Sequence, residues 1–311
     1  MLISSDPKKL RAFAGWQTCA ATIGNFDGVH LGHQELLRRT VSCARIKGLP
    51  AVVVTFDPHP AAIFTEYPPK LLCSREQCLE LLEELGVDAV LLMPFTRELA
   101  EQRAESFCRR VLQEELGVQE LFVGYDFRLG CDQAGADRMR DFGTYSLTQV
   151  EAVMAGDAPV SSTRIRKALA EGRLDEANAL LGRPFSVRGE VVHGAGRGGP
   201  LLGVPTANLD LVDAQAMPAP AAYATSARLL DGPEEERFWR MAVTSFCKNP
   251  TFDGTHLTLE THILDFQGDI YGRQLEVRFM GELRKEKRFN GLDALIAQLK
   301  ADMDQRRTMP L

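Results

Sequence analysis

The sequence predicts an α/β domain on a parallel sheet, followed by a small antiparallel β-barrel that ends in a helix. Three observations carry this. Up to about Gly182, short apolar, β-branched runs alternate with segments of helical period. After Gly182-Arg183-Pro184, strand-like alternation takes over until one last amphipathic stretch. Near the start, an apolar run enters a glycine-punctuated turn and then a helical segment, the order of a phosphate-binding βα turn. A chain of 311 residues fits two domains better than one. The boundary is placed to give domains 1–183 and 184–311.

The elements follow in order. Thr18 to Ile23 reads as a short strand. In Gln34 to Lys47, Leu36, Leu37, Val41 and Ala44 recur at helical spacing, and Gly48 stands where a C′ residue belongs. Ala51 to Phe56 is a continuous apolar and β-branched run, as in a buried parallel strand. Ser74 to Leu85 and Ala104 to Leu116 read as helices ending at Gly86 and Gly117. Val87 to Met93 and Glu120 to Gly124 read as strands, and Tyr125 to Gly135 as irregular chain. Ligands of such sheets lie beyond the carboxyl ends of strands. Residues 24–33, 57–60 and 124–135 all follow strands. Ser161 to Arg166 opens a helix with a serine N-cap, and Leu174 to Leu181 forms another. Beyond Pro184, strands are expected at Phe185–His193, Tyr223–Leu230, Phe238–Thr244, His256–Asp265 and Gln274–Met280. Leu292 to Met303 is expected to pack through Leu292, Leu295, Ile296, Leu299 and Met303.

Composition narrows the class. Hydrophobic residues make up 45% and charged residues 25%, as in ordinary soluble proteins. The net charge of −6 offers no global field for nucleic acid, so any polyanion site must be local. No apolar run approaches the roughly 20 residues that span a bilayer. Met1 to Trp16 carries Lys8, Lys9 and Arg11 without an apolar stretch after them, unlike a secretory signal. The seven cysteines are odd in number and lack a Cys-x-x-Cys pair, so reduced thiols and a cytoplasmic location are expected.

Several motifs carry candidate chemistry. In Gly24-Asn25-Phe26-Asp27-Gly28-Val29-His30-Leu31-Gly32-His33, Gly24, Gly28 and Gly32 let the backbone close on a phosphate. His30 and His33 would donate hydrogen bonds to it beside the positive helix end, which suits nucleotidyl transfer. The plainer alternative is two capping histidines. In Ser161 to Arg166, hydroxyls at a helix start and two arginines two apart, Arg164 and Arg166, suit a triphosphate, or simply a capped helix with solvated arginines. Asp57-Pro58-His59-Pro60 is either a site loop or a strand-ending turn. Gly194, Gly196, Arg197 and Gly198 could wrap phosphates, and Thr206 and Asn208 could ligate Mg²⁺; a long hairpin loop fits equally. Glu260, inside a β-like run, is a candidate general base for a hydroxyl or an outward, solvated residue.

Taken together, these motifs resemble the prokaryotic bifunctional riboflavin kinase/FMN adenylyltransferase family, also called FAD synthetase. The likeness runs from about Ala20 to Asp302. It rests on Gly24 to Gln34, Thr55 to Pro60, Gly124-Tyr125-Asp126-Phe127 and Ser161 to Arg166. In the second half it rests on Gly203 to Asn208, Asn249 to Phe252, Glu260-Thr261-His262, Tyr271-Gly272 and Leu283 to Glu286. Departures fall at Leu129, Val204, Ala221-Ala222 and Phe246-Cys247, and touch packing and flavin affinity more than chemistry.

The resemblance implies a Rossmann-like nucleotidyltransferase domain and a six-stranded kinase barrel. It implies two ATP- and Mg²⁺-dependent reactions, riboflavin to FMN with ADP released, and FMN to FAD with pyrophosphate released. By position, His30 and His33 would stabilise adenylyl transfer. Gly24, Asn25, Phe26, Asp27, Gly28, Gly32, Ser162, Thr163 and Arg166 would hold its ATP, with Asp57, His59 and Asp126 on the flavin substrate. In the kinase, Gly194, Gly196, Arg197, Gly198, Thr206 and Asn208 would carry Mg-ATP, Glu260 would be the base, and Arg284 and Phe289 would close over flavin. The expected partners are riboflavin, FMN, FAD and ATP/ADP, with no nucleic acid or membrane, in a monomer or weak homo-oligomer. An adenylyl- or cytidylyltransferase for another acceptor, and a flavin carrier without catalysis, are the rival readings.

Overall fold

The computed structural model describes residues 1–193, 206–211, 214–251, 254–287 and 289–310. The chain forms two compact units: Met1–Pro69 with Arg75–Ser162, and Lys70–Ser74 with Thr163–Leu311. Gly194, Gly196, Arg197 and Gly198 lie outside the described residues.

The first unit holds a six-stranded sheet. Its strands are β1 (Leu2–Ser4), β2 (Cys19–Ile23), β3 (Ala51–Asp57), β4 (Ala89–Pro94), β5 (Val118–Gly124) and β6 (Ser146–Val150). They lie in the order β1-β4-β3-β2-β5-β6, every neighbouring pair parallel. Both faces are covered, because alternate residues of one strand serve different cores. Val52 and Val54 join a cluster with Phe107, Val111 and Leu112, whereas Val53 joins one with Leu36, Leu37 and Leu82. That is why Ala51 to Phe56 reads as continuously apolar rather than alternating. The chain leaves β2 toward β3 on one side, and β5 lies on its other side. The carboxyl ends of β2 and β5 therefore mark the topological switch point, where ligands of open α/β sheets bind.

The helices match the periodic segments, with extensions. The first runs Leu31–Lys47, and Gly48 follows in the left-handed conformation at φ 66°. The segment expected as one helix from Ala104 is α-helical over Ala104–Phe107 and continues as a π-helix over Cys108–Glu115. Strand β1, the helix Pro7–Ala14 capped by Asp6, and strand β6 carry no sequence expectation above. A three-residue strand is too short to show a period. The helix start is nevertheless marked by Asp6-Pro7: the Asp6 carboxylate accepts from Lys8 N and Lys9 N at 2.9 and 3.1 Å.

The second unit is a closed antiparallel barrel ordered β10-β13-β12-β11-β14-β9. Its strands are β9 (Phe185–Val192), β10 (Ala207–Asp210), β11 (Ala221–Leu229), β12 (Arg240–Thr251), β13 (Gly254–Ile263) and β14 (Gln274–Lys285). β7 (Met154–Ala155) and β8 (Ala158–Pro159) form a small hairpin before it. Tyr223, Phe279 and Phe185 fill the barrel. Three buried hydroxyls there satisfy one another, Thr225 to Thr244 at 2.8 Å and Thr244 to Thr261 at 3.0 Å. The helix Leu174–Leu181 docks through Asn178, whose Oδ1 accepts from Phe185 N at 2.8 Å and whose Nδ2 donates to Phe279 O at 2.9 Å. The excursion Lys70–Ser74 joins the same unit, with Leu71 N donating to Ala214 O and Arg166 Nε to Lys70 O.

The terminal helix, Leu292–Arg307, departs from the expected apolar packing. Among its described side chains the buried ones are polar: Asp302 and Arg306 are 2% and 0% exposed, while Leu295, Ile296, Leu299 and Met303 are only partly buried. Arg306 donates to Thr225 O, Ser226 Oγ and the carbonyls of Met309 and Pro310, at 2.8 to 3.2 Å. Hydropathy patterning is blind to such an anchor, because it counts every arginine as solvated. Arg306→Met would leave those acceptors unpaired and is expected to destabilise the barrel by about 2–4 kcal/mol. Urea unfolding read through Trp239, in a Trp16→Phe background, checks it.

Candidate active sites

The first site is built by the turn between β2 and the helix Leu31–Lys47. Gly24 N donates to Val54 O, which holds the chain at the sheet edge as it leaves β2. Phe26, Gly28 and Val29 then adopt left-handed conformations at φ 51°, 80° and 39°. For Phe26 and Val29 this costs roughly 1–3 kcal/mol each. Burial opposes that cost, since both side chains are fully buried in the core that contains Leu37 and Leu82. Gly24 and Gly32 are needed for space. A Cβ at Gly24 would lie 3.3 Å from the Phe26 ring, and one at Gly32 would lie 3.2 Å from the His30 ring.

The turn delivers two histidines to the helix start. His30 is the N-cap, and its Nδ1 accepts from His33 N–H at 3.3 Å. A neutral His30 therefore carries its proton on Nε2. The two imidazoles stack, with ring centroids 3.7 Å apart and planes 15° apart. Burial, and then the neighbouring His30, hold the His33 pKa well below its usual range, so this ring is neutral near pH 7. Its Nδ1 is buried without a hydrogen-bond partner among the described residues. Ser162 joins the turn, its hydroxyl donating to Asp27 O at 2.9 Å. Thr163 and Arg166 continue the helix Ser162–Ala170 and are counted with the second unit.

Beside the turn lies a cavity of about 730 Å³, lined by Gly24, Asn25 and Asp126. Its aromatic wall is Phe56, Phe64, Phe95 and Phe127. Phe56 and Phe64 both meet the Phe95 ring edge-on, with centroids 5.4 and 6.2 Å apart. Arg97 and Arg128 also line it. No sequence pattern marks this wall: Phe56 and Phe95 lie at strand ends, Phe127 in the loop after β5 and Phe64 at the end of the short helix Ala61–Phe64, all places where a core residue is equally expected. Asp57 and His59 do not line this cavity. Asp57 forms an ion pair with Arg75, and His59 Nδ1 accepts from Ala61 N at 3.2 Å.

The second site lies on the outer face of the barrel and follows from strand register. Asn208 faces Glu260, Glu260 faces Ser245, Ser245 faces Ala222, and Ala222 faces Arg284. Directly opposed residues share a face, so these five form one row across β10, β13, β12, β11 and β14. Thr244, Thr261 and Tyr223 alternate with them and point inward. At strand spacing, Glu260 and Arg284 stand about 14 Å apart along the row. Burial raises the Glu260 carboxyl pKa above its ordinary value of 4.5. At the far end, the Arg284 guanidinium lies 5.3 Å from the centre of the Phe289 ring. Thr206 immediately precedes β10 and lines a cavity of about 450 Å³ with Thr261, Phe266 and Tyr271. The sequence thus named both ends of a row whose middle, Ser245 and Ala222, only the register reveals.

Residues 13–164 match the FAD synthetase family and residues 181–309 the riboflavin kinase family. A bifunctional riboflavin kinase/FMN adenylyltransferase from Pseudomonas fluorescens is 41% identical over 297 residues, covering 94% of this chain and 93% of its own length. Its namesake from Escherichia coli (strain K12) is 37% identical over 290 residues, 91% of this chain and 90% of the relative. A solved structure from Streptococcus pneumoniae, described as a macrolide-efflux protein, covers 99% of both chains at 32% identity with a TM-score of 0.88. The efflux description is that protein's own; here, among the described residues, no helix is long and apolar enough to cross a membrane. With an FAD synthetase domain ahead of a riboflavin kinase domain, this chain belongs to the bifunctional riboflavin kinase/FMN adenylyltransferase family, which uses ATP to make FMN from riboflavin and FAD from FMN.

Proposed function

We propose that residues 1–183 adenylylate FMN at the His30–His33 turn, and that residues 184–311 phosphorylate riboflavin on the barrel row containing Asn208 and Glu260. The observation that carries the kinase assignment is the direct cross-strand pairing of Asn208 with Glu260. It sets a hard oxygen for the nucleotide side beside a carboxylate for the hydroxyl side.

In the kinase, Glu260 accepts the proton of the ribityl 5′-hydroxyl as that oxygen attacks the γ-phosphorus of ATP and ADP leaves. Thr206 and Asn208 would hold Mg²⁺. Among the described residues, no group of three or more His, Cys, Asp or Glu is placed to bind a metal. The Thr206 hydroxyl and the Asn208 carbonyl oxygen are hard donors of the kind such an ion takes, one or two from protein with phosphate and water completing its shell. When bound, it neutralises charge on the β- and γ-phosphates. The flavin ring lies toward Arg284 and Phe289. Phosphate roles for Gly194, Gly196, Arg197 and Gly198 rest on the family resemblance.

In adenylyl transfer, a phosphate oxygen of FMN attacks the α-phosphorus of ATP and pyrophosphate leaves. The nucleophile is already ionised, so no base is required. The protein supplies donors: Nε2–H of His30, the neutral His33 ring and the free amides of the helix start. Gly24, Asn25, Phe26, Asp27, Gly28 and Gly32 shape the ATP turn, and Ser162 braces it. Roles for Thr163 and Arg166 on the triphosphate, and for Asp57 and His59 near the flavin, rest on the resemblance. Asp126 and the four phenylalanines face the cavity that would take the flavin. The protein is proposed to work in the cytoplasm as a monomer or weak homo-oligomer, without nucleic acid or membrane.

The test is a product assay. Purified protein with riboflavin, ATP and Mg²⁺ should yield FMN and then FAD, with ADP and pyrophosphate appearing in step. FMN without FAD would overturn the first assignment, and no FMN the second.

A further inference from the structure

The strand β14 ends at Lys285, and the chain then passes Phe289 before entering the terminal helix at Leu292. This corner is clamped from the helix side. Arg284 Nε reaches both carboxylate oxygens of Asp302, at 3.2 and 3.0 Å, and Arg284 Nη2 adds a contact at 3.0 Å. Asp302 is 2% exposed. Its Oδ1 also accepts from Gln298 Nε2 at 2.7 Å, and Gln298 Oε1 accepts from Lys287 Nζ at 2.6 Å. One buried carboxylate and one amide thereby fix two cations, one from the strand end and one from the loop. Both cations lie against the same ring: Arg284 and Lys287 are 5.3 and 5.2 Å from the Phe289 centroid.

Helix packing does not require this arrangement, because Arg306 already anchors the helix one turn later. The clamp instead fixes the end of the row that begins at Asn208 and Glu260. A ligand whose hydroxyl is held at Glu260 has its far end set by where Arg284 and Phe289 stand. An arginine freed of Asp302 would take up other rotamers and release Phe289 from its cation contact.

We propose that Asp302, acting through Arg284 and Gln298, is a positioning residue for riboflavin in the kinase reaction. The inference rests on the reading that places the kinase on this row. It requires that the clamp act mainly on flavin binding, leaving phosphoryl transfer intact once substrate is seated.

The experiment measures steady-state kinase and adenylyl-transfer kinetics in the full chain for Asp302→Asn, Gln298→Met and Phe289→Ala, alone and combined. Asp302→Asn should raise the riboflavin KM about tenfold with kcat within about twofold, the loss of one charge-assisted contact. Gln298→Met should raise it about threefold. The FMN KM for adenylyl transfer should not move. Asp302→Asn combined with Phe289→Ala should fall short of the product of the single effects, since both act on one contact. A lowered melting temperature with an unchanged riboflavin KM, or a multiplicative pair, would overturn the proposal. Should Asp302→Asn fail to fold, Gln298→Met decides by the same KM criterion. Glu260→Gln separates the two levels. If it leaves FMN formation intact, the site reading itself falls. If it abolishes FMN formation while Asp302→Asn and Gln298→Met leave the riboflavin KM alone, only the positioning role falls.

Discussion

Glu260→Gln is expected to lower FMN formation from riboflavin by about 10²–10⁴-fold, the range for loss of a general base, while FAD formation from supplied FMN is unchanged. The substitution keeps the shape and removes the proton acceptor. Because burial raises the Glu260 pKa, the carboxylate is a stronger base than an exposed one but ionises at higher pH. The acidic limb of the kinase rate should therefore lie above 4.5, the ordinary glutamate value, and should vanish from the residual rate of the variant. The stability sign runs the other way from the activity. With the folded-state pKa above the unfolded one, the folded state binds a proton more tightly. The Glu260 contribution is then most favourable at low pH and is lost as pH rises through the folded-state value. At neutral pH the ionised, desolvated carboxylate is unfavourable, so Glu260→Gln should melt no lower than the parent. Loss of FMN formation at an undiminished melting temperature identifies the base. An unchanged rate, or an equal fall in both activities, refutes the assignment.

The two candidate sites are legible in the sequence to different depths. The turn from Gly24 to His33 is local, and its strand, glycines and helix start occupy one continuous stretch, so position along the chain reports position in space. Its neighbouring cavity is not local. Phe56 and Phe95 come from strand ends, Phe127 from the loop after β5 and Phe64 from the helix Ala61–Phe64, and the order β4-β3-β2-β5 brings these segments together. On the barrel, Asn208 and Glu260 stand out in the sequence separately, as hard oxygen and carboxylate. Their opposition depends on register, which β10 sets by pairing with both β9 and β13. Alternation over that four-residue strand, Ala207 to Asp210, is too short to mark it as a strand in the sequence. Asp302 and Arg306 were invisible for a different reason. They are charged residues doing the packing expected of Leu299 and Met303, and a hydrophobic stripe assigns them to solvent. The buried clamp and anchor depend on partners 18 and about 80 residues away in sequence.

His30→Ala is expected to lower FAD formation by about 10²–10³-fold, the loss typical of one preorganised donor to a developing oxyanion, and to leave FMN formation intact. The protein should stay folded. The variant loses one N-cap acceptor, which costs about 1 kcal/mol, while Phe26, Val29 and Leu37 keep the turn in its core. The chemical loss is larger because the two rings are not interchangeable. His30 Nδ1 is committed to His33 N–H, which leaves Nε2–H as its donor. His33 is held neutral by burial and by His30, so it supplies a dipole and not a charge. On the proposed reading, the positive potential facing the α-phosphate comes from the helix start, with the His30 N–H as a donor beside it. The rate of FAD formation should accordingly show no ionisation of His33 between about pH 6 and 8, since its pKa lies well below that window. His30→Gln, which retains an amide N–H donor and an acceptor of similar reach, should recover part of the rate lost in His30→Ala. A His30→Gln rate no higher than that of His30→Ala would mean that a side-chain N–H donor at this position does not account for the loss. A His33-dependent acidic limb inside that pH window would mean that the second imidazole acts as a cation, contrary to its burial.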